Sequence, residues 1–155
     1  MSIAPTLQRY LADQNVAFDM VDHRPTMSAM RTAEAAHIPG DHLAKGVVLR
    51  NGGDYMLAVL PASHHISLPD LRAQLGKDIT LASEDEIGQV FRDCASGAVP
   101  ALGTCYGLQT IIDDKLAEQP EVYFEAGDHA TLIHMSQADF ARLTAAARHG
   151  RFSVH

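Results

Sequence analysis

The stretch Leu43-Ala44-Lys45-Gly46-Val47-Val48-Leu49-Arg50-Asn51-Gly52-Gly53-Asp54-Tyr55-Met56-Leu57-Ala58-Val59-Leu60 decides the fold. Val47-Val48-Leu49 and Tyr55 to Leu60 are rich in β-branched, aromatic and aliphatic side chains, and they flank Asn51-Gly52-Gly53-Asp54. Asn, Gly and Asp tolerate the left-handed backbone of tight turns, so the segment predicts a β-hairpin. Lys45 is the only charge from Leu43 to Leu49, at the mouth of a strand that otherwise reads as buried.

Outward from the hairpin, the period changes. Towards the amino terminus, Leu7, Tyr10 and Leu11 recur at helical spacing and Val16 to Val21 reads as a short strand. Thr32 is positioned to cap a helix over Ala33-Glu34-Ala35-Ala36-His37, stopped by Pro39-Gly40. Towards the carboxyl terminus, Ser67 caps a helix bearing Leu68, Leu71 and Leu75, with Pro69 in its first turn and Gly76 at its end. Ser83-Glu84-Asp85-Glu86 is a capping box for a helix with Ile87, Val90 and Phe91 on one face. Asp93 to Gly107 has no period and reads as a loop. Leu108 to Ile112, Val122 to Phe124 and Thr131 to Met135 are predicted strands, and Ser136 with Asp139 caps a last helix carrying Phe140, Leu143 and Ala147. Strands interleave irregularly with helices, which disfavours a strict βαβ parallel fold. The expected class is α+β, with a mixed, largely antiparallel curved sheet and surrounding helices.

A chain of 155 residues matches one hydrophobic core, so residues 1–155 are expected to form a single domain. Hydrophobic residues at 46% against 20% charged provide enough apolar surface to offset ordering entropy. No apolar run approaches the ~20 residues that cross a bilayer, and MSIAPTLQRYLADQN lacks the basic start and apolar centre of a signal peptide. The expectation is a cytoplasmic protein without a membrane partner. Two cysteines, Cys94 and Cys105, are too few for a disulfide framework and read as reduced packing thiols. A net charge of -7 argues against a DNA-wrapping protein, whose affinity would come from neutralising phosphates, while a small contact with one nucleotide end stays compatible.

Few residue patterns carry chemistry. Lys45 reads either as a strand-end lysine that snorkels to water or as an ammonium held at a pocket for a phosphate or a polarised carbonyl. Ser96-Gly97-Ala98-Val99-Pro100-Ala101-Leu102-Gly103 is a small-residue loop that would let a ligand approach backbone amides, or a plain connection. Nine histidines include no HExxH and no tight Cys/His cluster, so no metal and no cofactor is expected. No GxSxG elbow surrounds a serine, and neither cysteine has a catalytic context.

Read together, Thr32-Ala33-Glu34-Ala35-Ala36, Ile38-Pro39-Gly40, Leu43-Ala44-Lys45 and the hairpin beyond resemble the amino-terminal half of the YbaK/EbsC family of aminoacyl-tRNA deacylases. These are relatives of the editing domain inserted in bacterial prolyl-tRNA synthetases. Gly97-Ala98-Val99-Pro100 with Gly103 matches the family's glycine/proline loop, and Phe124-Glu125-Ala126-Gly127-Asp128-His129 its later strand-turn segment. One departure is visible: the synthetase domain has three residues between glycine and proline, where this chain has Ala98 and Val99.

The resemblance implies hydrolysis of the ester joining a wrong, small amino acid (alanine, serine, threonine or cysteine) to the 3′ end of a mischarged tRNA, without a metal or a covalent nucleophile. An aminoacyl ester is already activated, so positioning and oxyanion stabilisation can suffice. It assigns Lys45 the functional lysine's role of holding the terminal nucleotide or ester. It makes Gly97, Ala98, Val99, Pro100 and Gly103 a wall of the acyl pocket and His129 a lining residue. An aminoacyl-tRNA synthetase is a further implied partner. The alternatives are a non-catalytic aminoacyl- or nucleotide-binding module that docks on a synthetase, and a hydrolase of other small activated acyl esters.

Overall fold

The computed structural model describes residues 3–26 and 28–155; Met1 and Ser2, the start of the amino-terminal stretch read above, and Met27 lie outside them. The hairpin forms as predicted. β2 (Ala44–Asn51) and β3 (Asp54–Pro61) pair antiparallel in continuous register from Ala44 opposite Pro61 to Asn51 opposite Asp54. β3 has almost no solvent face: Met56, Leu57, Ala58, Val59 and Leu60 are all buried. An unbroken apolar run of this kind marks a strand covered on both sides.

The remaining elements supply the two covers. β5 (Ile79–Leu81) adds antiparallel to β2, whereas β6 (Gln109–Asp113) and β9 (Arg148–Gly150) add parallel beyond β3, giving the order β5-β2-β3-β6-β9. The α+β class with a mixed sheet therefore holds. On one face Met56, Ala58 and Leu60 meet Leu71 of α3 (Leu68–Leu75), Ile79, Ile111 and Phe152. On the other, Val48, Leu57 and Val59 join Leu7 and Leu11 of α1 (Pro5–Asp13), Phe91 at the end of α4 (Glu84–Val90), and Phe140 and Leu143 of α6 (Gln137–Leu143). The same cluster takes in a second, antiparallel sheet of β1 (Asp19–Asp22), β8 (Thr131–Ser136) and β7 (Glu121–Glu125), contributing Val122, Phe124, Ile133 and Met135. A bridge between Leu43 and Tyr123 joins the two sheets beside the mouth of β2.

Capping chemistry places most helix ends where the sequence put them. Ser67 accepts from the Asp70 amide, Ser136 from that of Asp139, and Ser83 and Glu86 form the reciprocal capping box. The helix α2 (Ala29–Ala35) differs: Ser28 caps it through the Arg31 amide, one turn before Thr32. Thr32 is instead buried within the helix, its hydroxyl 2.5 Å from that of Thr26. α2 also ends before Pro39, because His37 turns into the left-handed region at φ 58°. β1 starts later than the expected Val16, which packs into the core ahead of the strand, and Ala147 lies beyond the end of α6.

Short elements escaped the sequence pattern: β4 (His65–Ile66), which pairs with β10 (Ser153–Val154), and the single turn α5 (Asp114–Ala117). The tie among them is Asp113, 1% exposed. One carboxylate oxygen accepts from the Lys115 amide and caps α5; the other accepts from the Phe152 amide and holds the carboxyl-terminal segment over the sheet, both at 2.9 Å. Asp113→Ala leaves two amides without their charged acceptor, at roughly 1.5–3 kcal/mol for each such bond with partial rescue by water. The expected loss is about 2–4 kcal/mol in chemical denaturation; a loss below about 0.5 kcal/mol would show that water replaces the carboxylate fully.

Candidate functional site

The mouth of β2, the amino-terminal part of α2, α4 with the loop after it, and the β7–β8 turn enclose a cleft of about 540 Å³. Its floor is Leu43, Ala44, Lys45 and Gly46, and Ile87 and Phe91 give one apolar wall. Among the described lining residues Lys45 is the one lysine or arginine. Its Nζ donates to the His64 carbonyl at 2.5 Å, which fixes the ammonium and leaves two further donors. Burial pulls the Lys45 pKa below the usual lysine value.

The glycine/proline loop lies directly on this strand. A Cβ on Gly46 would stand 3.0 Å from Leu57 Cδ1, 3.4 Å from the Pro100 carbonyl and 3.5 Å from Val99 Cγ1, so a methyl there would crowd Leu57 and fill the remaining space beneath the loop. Gly97 has φ +81°, and a Cβ on it would approach His129 Nε2 to 3.0 Å. Both the backbone conformation and the contact with the imidazole therefore call for glycine. His129, itself left-handed at φ 64°, donates from Nε2 to the Ser96 carbonyl, clamping the loop to the β7–β8 turn. That bond puts the proton on Nε2 of the neutral ring, and the buried Nδ1 has no hydrogen-bond partner. Behind the loop, Ala95 N donates to Gly127 O at 2.7 Å, and Asp93 accepts from Thr6 N and from the Tyr106 hydroxyl, both at 2.8 Å.

The structure thus brings Lys45, Gly97, Val99 and His129 to one cleft. The Ala98 methyl is fully buried in the loop, Pro100 and Gly103 are buried outside the lining set, and a Cβ on Gly103 would strike Thr110. Of the cysteines only Cys94 reaches the cleft; burial pushes its thiol up to about 11 and that of Cys105 up to about 12, away from thiolate chemistry. Among the described residues no three His, Cys, Asp or Glu side chains gather as a metal-binding set, and no helix is long and apolar enough to cross a membrane.

Sequence reasoning missed a second polar element of the cleft. Glu125, at the end of β7, lines it with a side chain 13% exposed. His23, whose ring is fully enclosed, sits behind it with Nε2 at 3.6 Å from Glu125 Oε1, beyond hydrogen-bond reach. His23 Nδ1 donates to Arg24 O at 2.8 Å, so Nε2 of the neutral ring is a bare acceptor. Neither Nε2 nor Glu125 Oε2 has a hydrogen-bond partner. Burial, and secondarily the charge of Asp128, raise the Glu125 carboxyl to about 7, with Thr32 acting weakly in the opposite direction. The alternation of β7 in sequence assigns Glu125 to an outer face; only α2 folding over that face encloses it.

The α+β fold thus carries a cleft that sets a half-buried ammonium against a small-residue loop and a largely buried carboxyl. The chain belongs to the aminoacyl-tRNA editing domain family, which it matches over residues 23–143. In fold it is similar to a protein proposed as a trans-editing enzyme for prolyl tRNA synthetase, with 20% identity, a TM-score of 0.85, and 99% of this chain and 100% of that one covered. It is also similar to the hypothetical protein APE2540, at 17% identity, TM-score 0.83 and 96% and 99% coverage. A third likeness is to a protein of Marinobacter aquaeolei VT8 proposed to act in signal transduction, at 23% identity and TM-score 0.80, where the match covers 99% of this chain but 31% of that one. These identities carry the fold and no more. No curated protein matches the chain in sequence.

The buried carboxyl has a measurable consequence. A folded-state pKa of about 7 against an ordinary 4.5 means that Glu125 favours the fold only when protonated. Its penalty is absent well below pH 4.5, grows as pH rises, and levels off above 7, reaching roughly 3 kcal/mol. Glu125→Gln is expected to gain about 2–3 kcal/mol of stability relative to wild type between pH 5 and pH 8. Urea denaturation of both proteins at the two pH values checks this; a pH-independent difference would mean that the carboxyl ionises as easily folded as unfolded.

Proposed function

We propose that this chain is a stand-alone trans-editing hydrolase that cleaves the ester between a small amino acid and the 3′-terminal adenosine of a mischarged tRNA. The observation that carries the reading is the seating of the Gly97–Pro100 loop on Gly46, beside Lys45, within a chain of the aminoacyl-tRNA editing family. Cytoplasmic residence and transient contact with a synthetase fit this role.

In this reading Lys45 holds the negative end of the substrate, a phosphate or the developing oxyanion, with the donors that His64 leaves over. Its anchoring to the His64 carbonyl means that little reorganisation accompanies binding. Gly97 and Val99 bound the acyl group, which fits the small side chains alanine, serine, threonine and cysteine. Water attacks the carbonyl carbon, the C–O bond to the ribose breaks, and the leaving 3′ oxygen takes a proton, with the neighbouring ribose hydroxyl assisting. No thiolate is used, consistent with the raised Cys94 and Cys105 pKa values. A net charge of -7 is compatible with gripping only the CCA end, where few phosphates are contacted.

Incubating the pure protein with a panel of mischarged tRNAs and with free aminoacyl esters tests the proposal. Deacylation of tRNA bearing a small residue is expected; binding without turnover would mark a binding module, and equal turnover of free esters a general esterase. Lys45→Ala is expected to lose about ten- to hundredfold in kcat/KM while unfolding at the wild-type temperature, because one charge-assisted contact is worth roughly 1.5–3 kcal/mol. Full turnover by this variant would remove Lys45 from the mechanism. EDTA is expected to leave the rate unchanged. Val99→Ala is expected to relax selection against larger acyl groups by roughly tenfold, since one or two methyl groups in a pocket are worth about 1–3 kcal/mol; an unchanged ratio of seryl to threonyl turnover would place Val99 outside acyl selection.

A further inference from the structure

The proposed reaction uses one end of the cleft and leaves Glu125 unexplained. A carboxyl group with an unpaired oxygen, nearly enclosed by protein, is costly to keep. Its protein surroundings offer it little: His23 stands at 3.6 Å, beyond hydrogen-bond reach, the Thr32 hydroxyl, shared with Thr26, favours the charged form only weakly, Oε2 has no hydrogen-bond partner, and nearby Asp128 carries the same sign. Lys45 lines the same cleft but is anchored to the His64 carbonyl. An ionised carboxylate only accepts hydrogen bonds, so a ligand group that carries both donors and positive charge satisfies it best.

We propose that Glu125 is the receptor for the α-ammonium of the aminoacyl group, so that a free α-amine is a requirement of the substrate. The proposal rests on the reading that the cleft takes an aminoacylated 3′ end. Such an end is dipolar, with an ammonium on the acyl part and phosphate and ester oxygens on the nucleotide side. The cleft carries the matching pair, Glu125 and Lys45. His23 acts as a positioning residue: its Nδ1 bond to Arg24 O orients the ring that backs Glu125 Oε1. The burial that raises the carboxyl to about 7 is the same burial that an incoming cation would relieve. Simple acyl esters and N-blocked residues, such as the acyl group of a peptidyl-tRNA, lack the charge and are discriminated against without any steric gate.

The test uses the full chain and two pairs of non-hydrolysable amide analogues. These are 3′-alanylamino- and 3′-serylamino-3′-deoxyadenosine, against their des-amino counterparts bearing propionyl and 3-hydroxypropionyl groups. Titration calorimetry is expected to show wild type binding the amine-bearing analogue roughly ten- to hundredfold tighter than its des-amino partner, and Glu125→Gln binding both alike. Glu125→Asp, which keeps the charge but shortens the arm, is expected to restore part of the preference. In parallel, wild type is expected to hydrolyse alanyl-tRNA far faster than N-acetyl-alanyl-tRNA. Equal binding of the two analogues by wild type, or a preference undiminished in Glu125→Gln, would overturn the assignment while leaving the editing function standing. If wild type binds no analogue and hydrolyses no mischarged tRNA, both the function and the ammonium receptor fall.

Discussion

Strand β3 has no side for water, and the architecture follows from that constraint. Five consecutive apolar residues, Met56 to Leu60, alternate between the two faces of the central sheet, so each face must be covered. α3 and the carboxyl-terminal Phe152 close one face, with Asp113 fastening the latter. α1, α4, α6 and the small sheet close the other. β2, the hairpin partner, has to leave this sandwich at the end where the two sheets meet. There the chain changes from Val47-Val48-Leu49 to Ala44-Lys45-Gly46, and the apolar cover gives way to a cleft.

Small residues make that transition possible. The 97–100 loop lies over Gly46 of the strand, and Gly97 lets His129 reach across to the Ser96 carbonyl. The loop is then held from behind by the Ala95–Gly127 backbone bond and by Asp93. A rigid scaffold therefore carries an irregular segment in a fixed shape, which is the usual way that a loop becomes a binding wall.

Electrostatically, the cleft keeps two groups in states that burial opposes. Desolvation pulls Lys45 down and pushes Glu125 up, so each is less readily charged than in water. Lys45 is compensated by one carbonyl, whereas Glu125 is left with an unpaired oxygen. A protein selected only for stability would replace such a carboxyl by an amide or an apolar residue. Its presence in the cleft that Lys45 also lines fits the proposed recognition role, in which stability is exchanged for binding.

The sequence by itself determined what depends on neighbours along the chain. The hairpin, the Ser67, Ser83 and Ser136 caps and the loop character of Asp93 to Gly107 follow from turn chemistry and from side-chain hydroxyls within three residues of the amides they satisfy. Lys45 was legible as a lone charge in an apolar strand, and the ordered motifs around it gave the family. Tertiary structure alone decided the rest. Thr32 lies within α2, bonded to Thr26 and lining the cleft, while Ser28 takes the capping role ahead of Ala29. Ala98 was turned into the core and Val99 outward by the seating of the loop on Gly46. Glu125 and His23 are 102 positions apart, and the period of β7 assigns the carboxyl to an exposed face. They become a site only when β1 pairs with β8 and α2 closes over them, because desolvation is a property of what surrounds a group in space and leaves no mark in the local pattern of residues.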